Sequence, residues 1–358
     1  MKVLHITSWY PNRVEPKEAM FIQRQIEALD EFVSDQKVIH VRVHQGKLRF
    51  IRYEDFGALH FLLQIPTSRW FIIEFFSSIL TLFVLLKNRA NSYDVLNFHI
   101  AYPNLTYWHL IKRFFKPKTV ITEHWSAYHF NFGVKKSLRR VQRVFKQNIP
   151  VITVSKALGN DIKQFSGANF VDYIVPNVIE NDFKKIDIER EKGRFFMVSQ
   201  WKSPKDPFIV INAFKKLLGV DPAIKLIIAG YGPQWSEIAE LSQSFKQIEL
   251  LGKLDSAEIT RQMNKASAYL HPSGYETFSV VCAEALMCRC PVIASNVGGI
   301  PEFVNTSNGV LVENNSIEGF FEAMYKLLQA PMEVDEVPDF SKKTIGKEYY
   351  NVLRVIMS

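Results

Sequence analysis

Two glutamates, Glu276 and Glu284, stand eight positions apart in the stretch from His271 to Glu302, across what reads as a strand end, a turn and a helix start. Ser273-Gly274 is turn chemistry. Phe278, Val281, Cys282 and Ala285 recur at the spacing of one helical face, so the pattern predicts a helix opening near Thr277. A helix beginning at the carboxyl end of a strand offers unpaired amides and a partial positive charge, which suit a phosphate or diphosphate. The two glutamates would lie about 12 Å apart along a regular helix, far enough to hold hydroxyls at opposite ends of one elongated ligand. Glu284 falls at the border of the apolar stripe, where a carboxylate needs a hydrogen-bonding partner.

Glu276, the seven residues after it and Glu284, followed by Pro291-Val-Ile-Ala and the Gly298-Gly299-Ile-Pro301-Glu302 turn, resemble the signature of family 4 retaining glycosyltransferases of the GT-B fold. The resemblance implies an α/β chain of two Rossmann-like, doubly wound domains facing across a cleft. It also implies transfer of a hexose from a UDP- or GDP-sugar to a glycan or lipid-linked glycan in cell-surface polysaccharide or lipopolysaccharide-type biosynthesis. Glu276 then binds donor-sugar hydroxyls, Glu284 the ribose, and the amides of Thr277, Phe278, Ser279 and Val280 the diphosphate.

Other positions follow from the same likeness. Lys205 matches the lysine that binds the leaving diphosphate, and His124, after the run Thr119–Thr122, matches the histidine aimed at the donor sugar. With Glu276 these form the expected catalytic set. Gln200 stands where the family has an arginine, and Lys202 is a nearby cation that would substitute as a point charge. A cation beside a departing diphosphate stabilises charge that grows in the transition state, so its loss raises the barrier by a few kcal/mol, as a rough magnitude. Gly252 and Leu254 belong to the loop whose backbone contacts the base. Trp9, Tyr10, Ala19, Met20 and Phe21 form the acceptor-side loop, with Ala19 where a glycine is expected.

The elements that position these residues are legible as alternating runs. Apolar stretches at Val3–Ile6, Val38–Val43, Asp94–His99, Thr119–Thr122 and Val151–Ser155 are separated by segments long enough for helices, which argues a parallel sheet with crossovers. The pattern pauses near Val175-Pro176-Asn177, Asn181 to Arg194 reads as a polar linker, and alternation resumes at Phe195 and ends at Val310–Val312. The expected domains are residues 1–176 and 177–340. A closing helix within 341–358 is expected to pack back on the first.

Composition narrows the class. The 358 residues are 47% hydrophobic and 22% charged, a globular balance long enough for two cores. Cys282, Cys288 and Cys290 have no second pair or nearby histidine and read as structural thiols; no metal motif is evident, and neither metal nor other cofactor is expected. No secretory signal opens the chain, so a cytoplasmic location is expected. Residues 1–176 carry 24 Lys and Arg against 13 Asp and Glu, whereas the rest carry 20 against 23. The basic half holds Lys112, Arg113, Lys116 and Lys118, then Lys135, Lys136, Arg139, Arg140, Arg143 and Lys146, which reads as a basic amphipathic helix suited to an anionic membrane surface or simply as a solvated face. Trp70 to Leu86 is strongly apolar but contains Glu74, Ser77, Ser78 and Thr81, and reads as a buried or interfacial helix. Peripheral attachment at the inner membrane face is therefore an expectation. Nucleic acid is not expected, because no binding motif accompanies the charge. Two other classes stay in view. One is a GT-B protein that holds a nucleotide sugar without transferring it; the other is a nicotinamide-type oxidoreductase, disfavoured because no G-x-G-x-x-G follows the first strand.

Overall fold

The computed structural model describes residues 1–133 and 138–358. The chain divides into two compact units, Met1–Val178 with Lys342–Ser358, and Ile179–Ser341.

The first unit is built on strands β1 (Lys2–Thr7), β2 (Asp35–Gln45), β3 (Arg49–Asp55), β4 (Ala58–Ile65), β5 (Val95–His99), β6 (Lys118–Glu123), β7 (Val151–Thr153) and β8 (Asp172–Ile174). They form one sheet in the order β3-β4-β2-β1-β5-β6-β7-β8, parallel except for the β3–β4 hairpin. The hairpin was not foreseen from sequence, because Arg49–Asp55 alternates polar and apolar on a half-exposed edge instead of reading as a buried run. Central strands are buried along most of their length, as a sheet covered on both faces requires, and carry the buried polar residues His5, His40, Asn97 and His99 among their apolar ones. The helices are α1 (Met20–Glu27), α2 (Trp70–Lys87), α3 (Trp108–Ile111), α4 (Arg139–Phe145) and α5 (Lys156–Ser166). Helix α4 buries Val141, Val144 and Phe145 and leaves Arg139, Arg140 and Arg143 outward. Lys135 and Lys136 of the expected basic helix lie outside the described residues.

The second unit contains β9 (Glu191–Gln200), α6 (Pro207–Leu218), β10 (Lys225–Tyr231), α7 (Trp235–Ser242), β11 (Ile248–Gly252), α8 (Ser256–Lys265), β12 (Ala266–His271), α9 (Val280–Met287), β13 (Val292–Ser295), β14 (Gly309–Val312) and α10 (Ile317–Gln329). Its parallel sheet runs β11-β10-β9-β12-β13-β14. Phe195, Met197, Leu226, Ile228 and Leu270 of the strands meet Val210, Phe214 and Leu217 of α6 and Phe320 and Met324 of α10 in one core. Each such side chain contributes about 1.5–3 kcal/mol on burial.

Of residues 181–194, expected as a linker, 191–194 open β9 and 181–190 are fastened to the second unit. Thr260 donates to the Asp182 carbonyl, Asn264 to the Lys184 carbonyl, and Arg190 to the carbonyls of Ala266 and Arg289. The α8 side chains bond the backbone of this segment, while most of its own polar side chains are exposed, which is why it reads as a linker. The last helix, α11 (Lys342–Met357), packs on the first unit. Gly346 lies against the Ala28 carbonyl, and the buried Tyr349 hydroxyl meets Asn97 and, at 2.8 Å, Thr122.

Both sheets reverse strand order beside their first strand, between β1 and β5 and between β9 and β12. Ligands of open α/β sheets bind beyond the carboxyl ends at such switch points.

Candidate functional site

At the second switch point the loop after β9 meets the loop after β12. Lys205 pairs with Ser273 in an isolated antiparallel bridge, the Gly274 amide donates to the Pro204 carbonyl at 2.8 Å, and the Asp206 amide donates to the Pro272 carbonyl at 3.1 Å. This backbone lacing brings Lys205 Nζ to 3.0 Å from Glu276 Oε1. The same oxygen accepts from Nε2 of His271 at 2.9 Å. His271 is buried, with its Nδ1 facing the Tyr269 hydroxyl at 3.3 Å, and that hydroxyl donates to the Val198 carbonyl.

Burial alone would raise the Glu276 carboxyl. The His271 hydrogen bond and the Lys205 ammonium overcome it and hold the group at about 2, so it is ionised at neutral pH. His271 was not singled out from sequence; its position at a strand terminus, like that of His124, was the available signal.

The backbone of Glu276 is fixed from the other side by the glycine turn after β13. The Gly299 amide donates to the Glu276 carbonyl at 3.0 Å. Gly298 has φ +53, and a Cβ built there would overlap that same carbonyl. Only glycine meets both conditions without strain. Ser273 is tied to the same strand end, its amide donating to Oγ of Ser295 at 3.0 Å.

Helix α9 begins at Val280, three residues later than the spacing predicts. Ser279 precedes it with φ 73 and ψ 80, outside the helical region, so the helix cannot run back through it. Phe278 satisfied the periodicity but packs on Phe303 and Phe340, with centroids at 5.0 and 5.3 Å. Thr277, Phe278 and Ser279 therefore belong to the loop. The first intrahelical bond runs from Ala283 to the Ser279 carbonyl, which leaves the amides of Val280, Val281 and Cys282 as the helix's N-terminal donors. Glu284 is buried within α9, where Cys282, Ala283, Ala285 and Leu286 are buried too. The three cysteines are free, buried thiols.

Gln200 and Lys202 are exposed, and among the described residues no hydrogen bond or ion pair joins either to Glu276. The chain between them turns inward at Trp201, whose indole donates to the Ala229 carbonyl at 2.8 Å. Gly252 ends β11 with φ +64 and open space at its Cβ position, and Leu254 follows half-buried. Among the described residues no group of three or more His, Cys, Asp or Glu side chains is placed to hold a metal ion.

The first unit has its own concavity. A cavity of about 570 Å³ lies at the strand ends, lined by Trp9, Arg42, Trp70, Tyr102, Trp125, Phe130, Phe132 and neighbours. Trp9 and Trp125 meet edge to face at 4.8 Å, and Trp125 packs on Phe132 at 4.9 Å. Tyr10 is buried against Ile22 and Ile26, so of the expected pair only Trp9 lines the cavity. Ala19 caps α1 with φ 49 and ψ 38, the left-handed conformation that explains why a glycine is expected there. Met20 opens α1, and Phe21 packs on the His124 ring at 5.1 Å.

His124 is 6% exposed, and burial lowers its imidazole to about 3, with Asn177 offsetting part of the effect. Beneath it, Glu123 accepts from the Ala101 amide at 2.7 Å and the Tyr128 hydroxyl at 2.6 Å; burial outweighs these bonds and raises its carboxyl to about 7. Glu123 thus ties the loops after β5 and β6 together under the cavity.

Residues 178–344 match the family model described as glycosyl transferases group 1. The chain is 25% identical over 225 residues to the phosphatidylinositol N-acetylglucosaminyltransferase GPI3 subunit of Saccharomyces cerevisiae, covering 59% of this chain and 50% of that one. It is 24% identical over 384 residues to the putative teichuronic acid biosynthesis glycosyltransferase TuaC of Bacillus subtilis, covering 98% and 95%. It spans about half the length of the first of these relatives. HepE of Anabaena in complex with UDP superposes with a TM-score of 0.74 at 17% identity, over 99% of this chain and 100% of that one. The fold is therefore GT-B, and the Lys205–Glu276 pair lies within the residues that the family model matches.

Proposed function

We propose that the chain is a retaining glycosyltransferase that moves a hexose from a nucleotide diphosphate donor, UDP- or GDP-linked, to a hydroxyl of a growing cell-surface glycan. The observation that carries this reading is the ionised Glu276 carboxylate, fixed through Oε1 by Lys205 and His271 beside the N-terminus of α9.

A carboxylate held in two charge-assisted bonds is a strong acceptor for sugar hydroxyls and a poor nucleophile. Glu276 therefore binds and orients the donor sugar. The amides of Val280 to Cys282 and the remaining N–H groups of Lys205 receive the diphosphate, whose charge grows as the glycosidic bond breaks. Glu284 holds the ribose. The acceptor oxygen bonds to the anomeric carbon on the face the diphosphate leaves, and its proton passes to the departing phosphate oxygen. That sequence retains configuration without a covalent enzyme intermediate.

Gln200 in the place of an arginine favours a second reading, nucleotide-sugar binding without efficient transfer. A thermal-shift panel of UDP, GDP, ADP and their sugars, repeated with Glu276→Ala, tests donor binding. Stabilisation by one base family that Glu276→Ala weakens for the sugar nucleotide supports the assignment; no stabilisation by any nucleotide overturns it. Release of free nucleotide from the bound donor separates transfer or hydrolysis from simple binding.

A further inference from the structure

Helix α2 buries polar groups beside Leu80, Val84 and Leu85 and turns an aromatic stripe outward. In water an amphipathic helix turns its apolar stripe to the core; here Glu74, Ser77, Ser78 and Thr81 face inward, and Phe71, Phe75, Ile79, Phe83 and Leu86 are 46–56% exposed. The hydroxyls of Ser77, Ser78 and Thr81 are buried without hydrogen-bond partners among the described residues.

What holds the helix is specific. Glu74 is 2% exposed and pairs with Arg140 of α4 at 2.7 Å. Phe75 packs on Tyr107 edge to face, and at the far end Lys37 donates to Asn88 at 3.0 Å. These contacts fix the helix's rotation. By length and composition α2 is apolar enough to cross a membrane, but its inner face packs on β2 and β4, so it lies on a surface instead of spanning one.

Cations surround the aromatic stripe. Arg69 precedes α2, Lys87 is its last residue and Arg89 follows it, and all three are exposed. The helix exit is bonded to the segment bearing exposed Lys112, Arg113 and Lys116, through Asn91 to the Phe114 carbonyl and the Lys116 amide to Asn91. An aromatic stripe ringed by Lys and Arg is the combination that anionic lipid headgroups and acyl chains accept together.

We propose that α2 docks the first unit on an anionic bilayer, with Phe71, Phe75, Ile79 and Phe83 in the acyl boundary and the flanking cations among the headgroups. Trp70 and Ile73 of the same helix line the aromatic cavity. A docked α2 therefore sets that cavity at the membrane surface, where it meets a glycan acceptor carried on a lipid; this part rests on the transferase reading.

The test is flotation of the whole chain with phosphatidylglycerol–phosphatidylethanolamine vesicles and with phosphatidylcholine vesicles at low ionic strength. Wild type floats with the first and not the second. F71S/F75S/F83S, altered only at exposed positions, lowers binding at least tenfold while keeping the UDP-induced thermal shift of wild type, and R69Q/K87Q/R89Q lowers it comparably. Bromolipid quenching of tryptophan fluorescence in wild type supplies a measurement independent of those variants, and Trp70→Phe removes the quenched component. Wild type that stays unbound, or the triple phenylalanine variant floating like wild type, overturns docking. A dimer in the absence of lipid that the same variant abolishes would assign the stripe to a second copy and overturn it equally. UDP stabilisation without flotation leaves the donor site intact and removes only the membrane inference; flotation without UDP stabilisation does the reverse.

Discussion

The Gly299 amide donates to the carbonyl oxygen of Glu276 at 3.0 Å, so the glycine turn after one strand positions the acid after its neighbour. Gly298, one residue earlier, has φ +53 and no room for a Cβ against the same carbonyl. Gly298→Ala combines a left-handed backbone, costing about 1–2 kcal/mol, with a backbone overlap that only movement of the Glu276 loop relieves. The expected result is loss of stability in the second unit and a drop in nucleotide-sugar affinity of tenfold or more, read by titration calorimetry. Unchanged affinity would show that the turn does not set the position of Glu276.

Lys205→Ala leaves Glu276 with His271 as its remaining partner at Oε1. A hydrogen bond to a charged group contributes about 1.5–3 kcal/mol, so affinity for the nucleotide diphosphate should fall by roughly tenfold or more. The carboxyl, held at about 2 against an ordinary 4.5, is ionised throughout the pH range in which binding is measured. Its stabilising pairing is complete above the ordinary value and is lost as pH falls towards 2. Without the ammonium its titration moves up towards the ordinary range. Donor binding by wild type should therefore show no step from Glu276 between pH 5 and 8, while the variant begins to weaken at the acid end.

Much of this was legible in the chain itself, because buried parallel strands write themselves as apolar runs and the two glutamates with their glycine turn carry a recognisable spacing. What escaped has physical reasons. Phe278 met the helical period yet serves a different cluster, and the left-handed Ser279 that stops the helix leaves no mark in residue type. The pairing of His271 with Glu276 depends on a turn of the backbone, not on spacing alone. Residues 181–190 looked like linker because α8 holds them through backbone carbonyls, which leave no mark in residue type, while their polar side chains face solvent. The direction in which α2 turns its aromatics is likewise absent from composition, since Glu74 and Arg140 decide it from 66 positions apart.

Ala19→Gly should behave unlike an ordinary alanine-to-glycine exchange. In a helix interior that exchange costs about 1 kcal/mol. Ala19 has φ 49, where alanine is strained by about 1–2 kcal/mol. Against the relief stand the greater unfolded-state freedom of glycine, about 0.4–1 kcal/mol, and part of one methyl packed near Trp9 and Phe21. The balance is neutral to stabilising by up to about 1 kcal/mol, measured as a shift in the urea midpoint of the first unit. A loss of 1 kcal/mol or more would mean that the methyl contact outweighs the strain.

The first unit should be the acid-labile one. His5, His40 and His124 are buried with their imidazoles lowered to about 3, principally by burial. Their neutral forms fit the sheet: His5 Nδ1 lies 3.1 Å from His99 Nε2, and His40 and His60 share a 3.0 Å contact between Nδ1 atoms. In the unfolded chain each takes up a proton below its ordinary 6.5, whereas the folded state does so only near 3. Their contribution to stability is therefore complete above 6.5 and declines as pH falls towards 3, by about 1.4 kcal/mol per pH unit for each group. Burial lowers His99 and His60 in the same sense, whereas Glu123, raised to about 7, and Glu74, also raised by burial, act in the opposite sense. A fall from pH 6.5 to 5.5 should lower the stability of the first unit, because the buried histidines outnumber the raised carboxyls. Hydrogen exchange, corrected for its intrinsic pH dependence, should show protection in β1, β2 and β5 falling while that in β9, β10 and β12 changes less. Parallel loss in both sheets would assign the acid transition to groups other than these histidines.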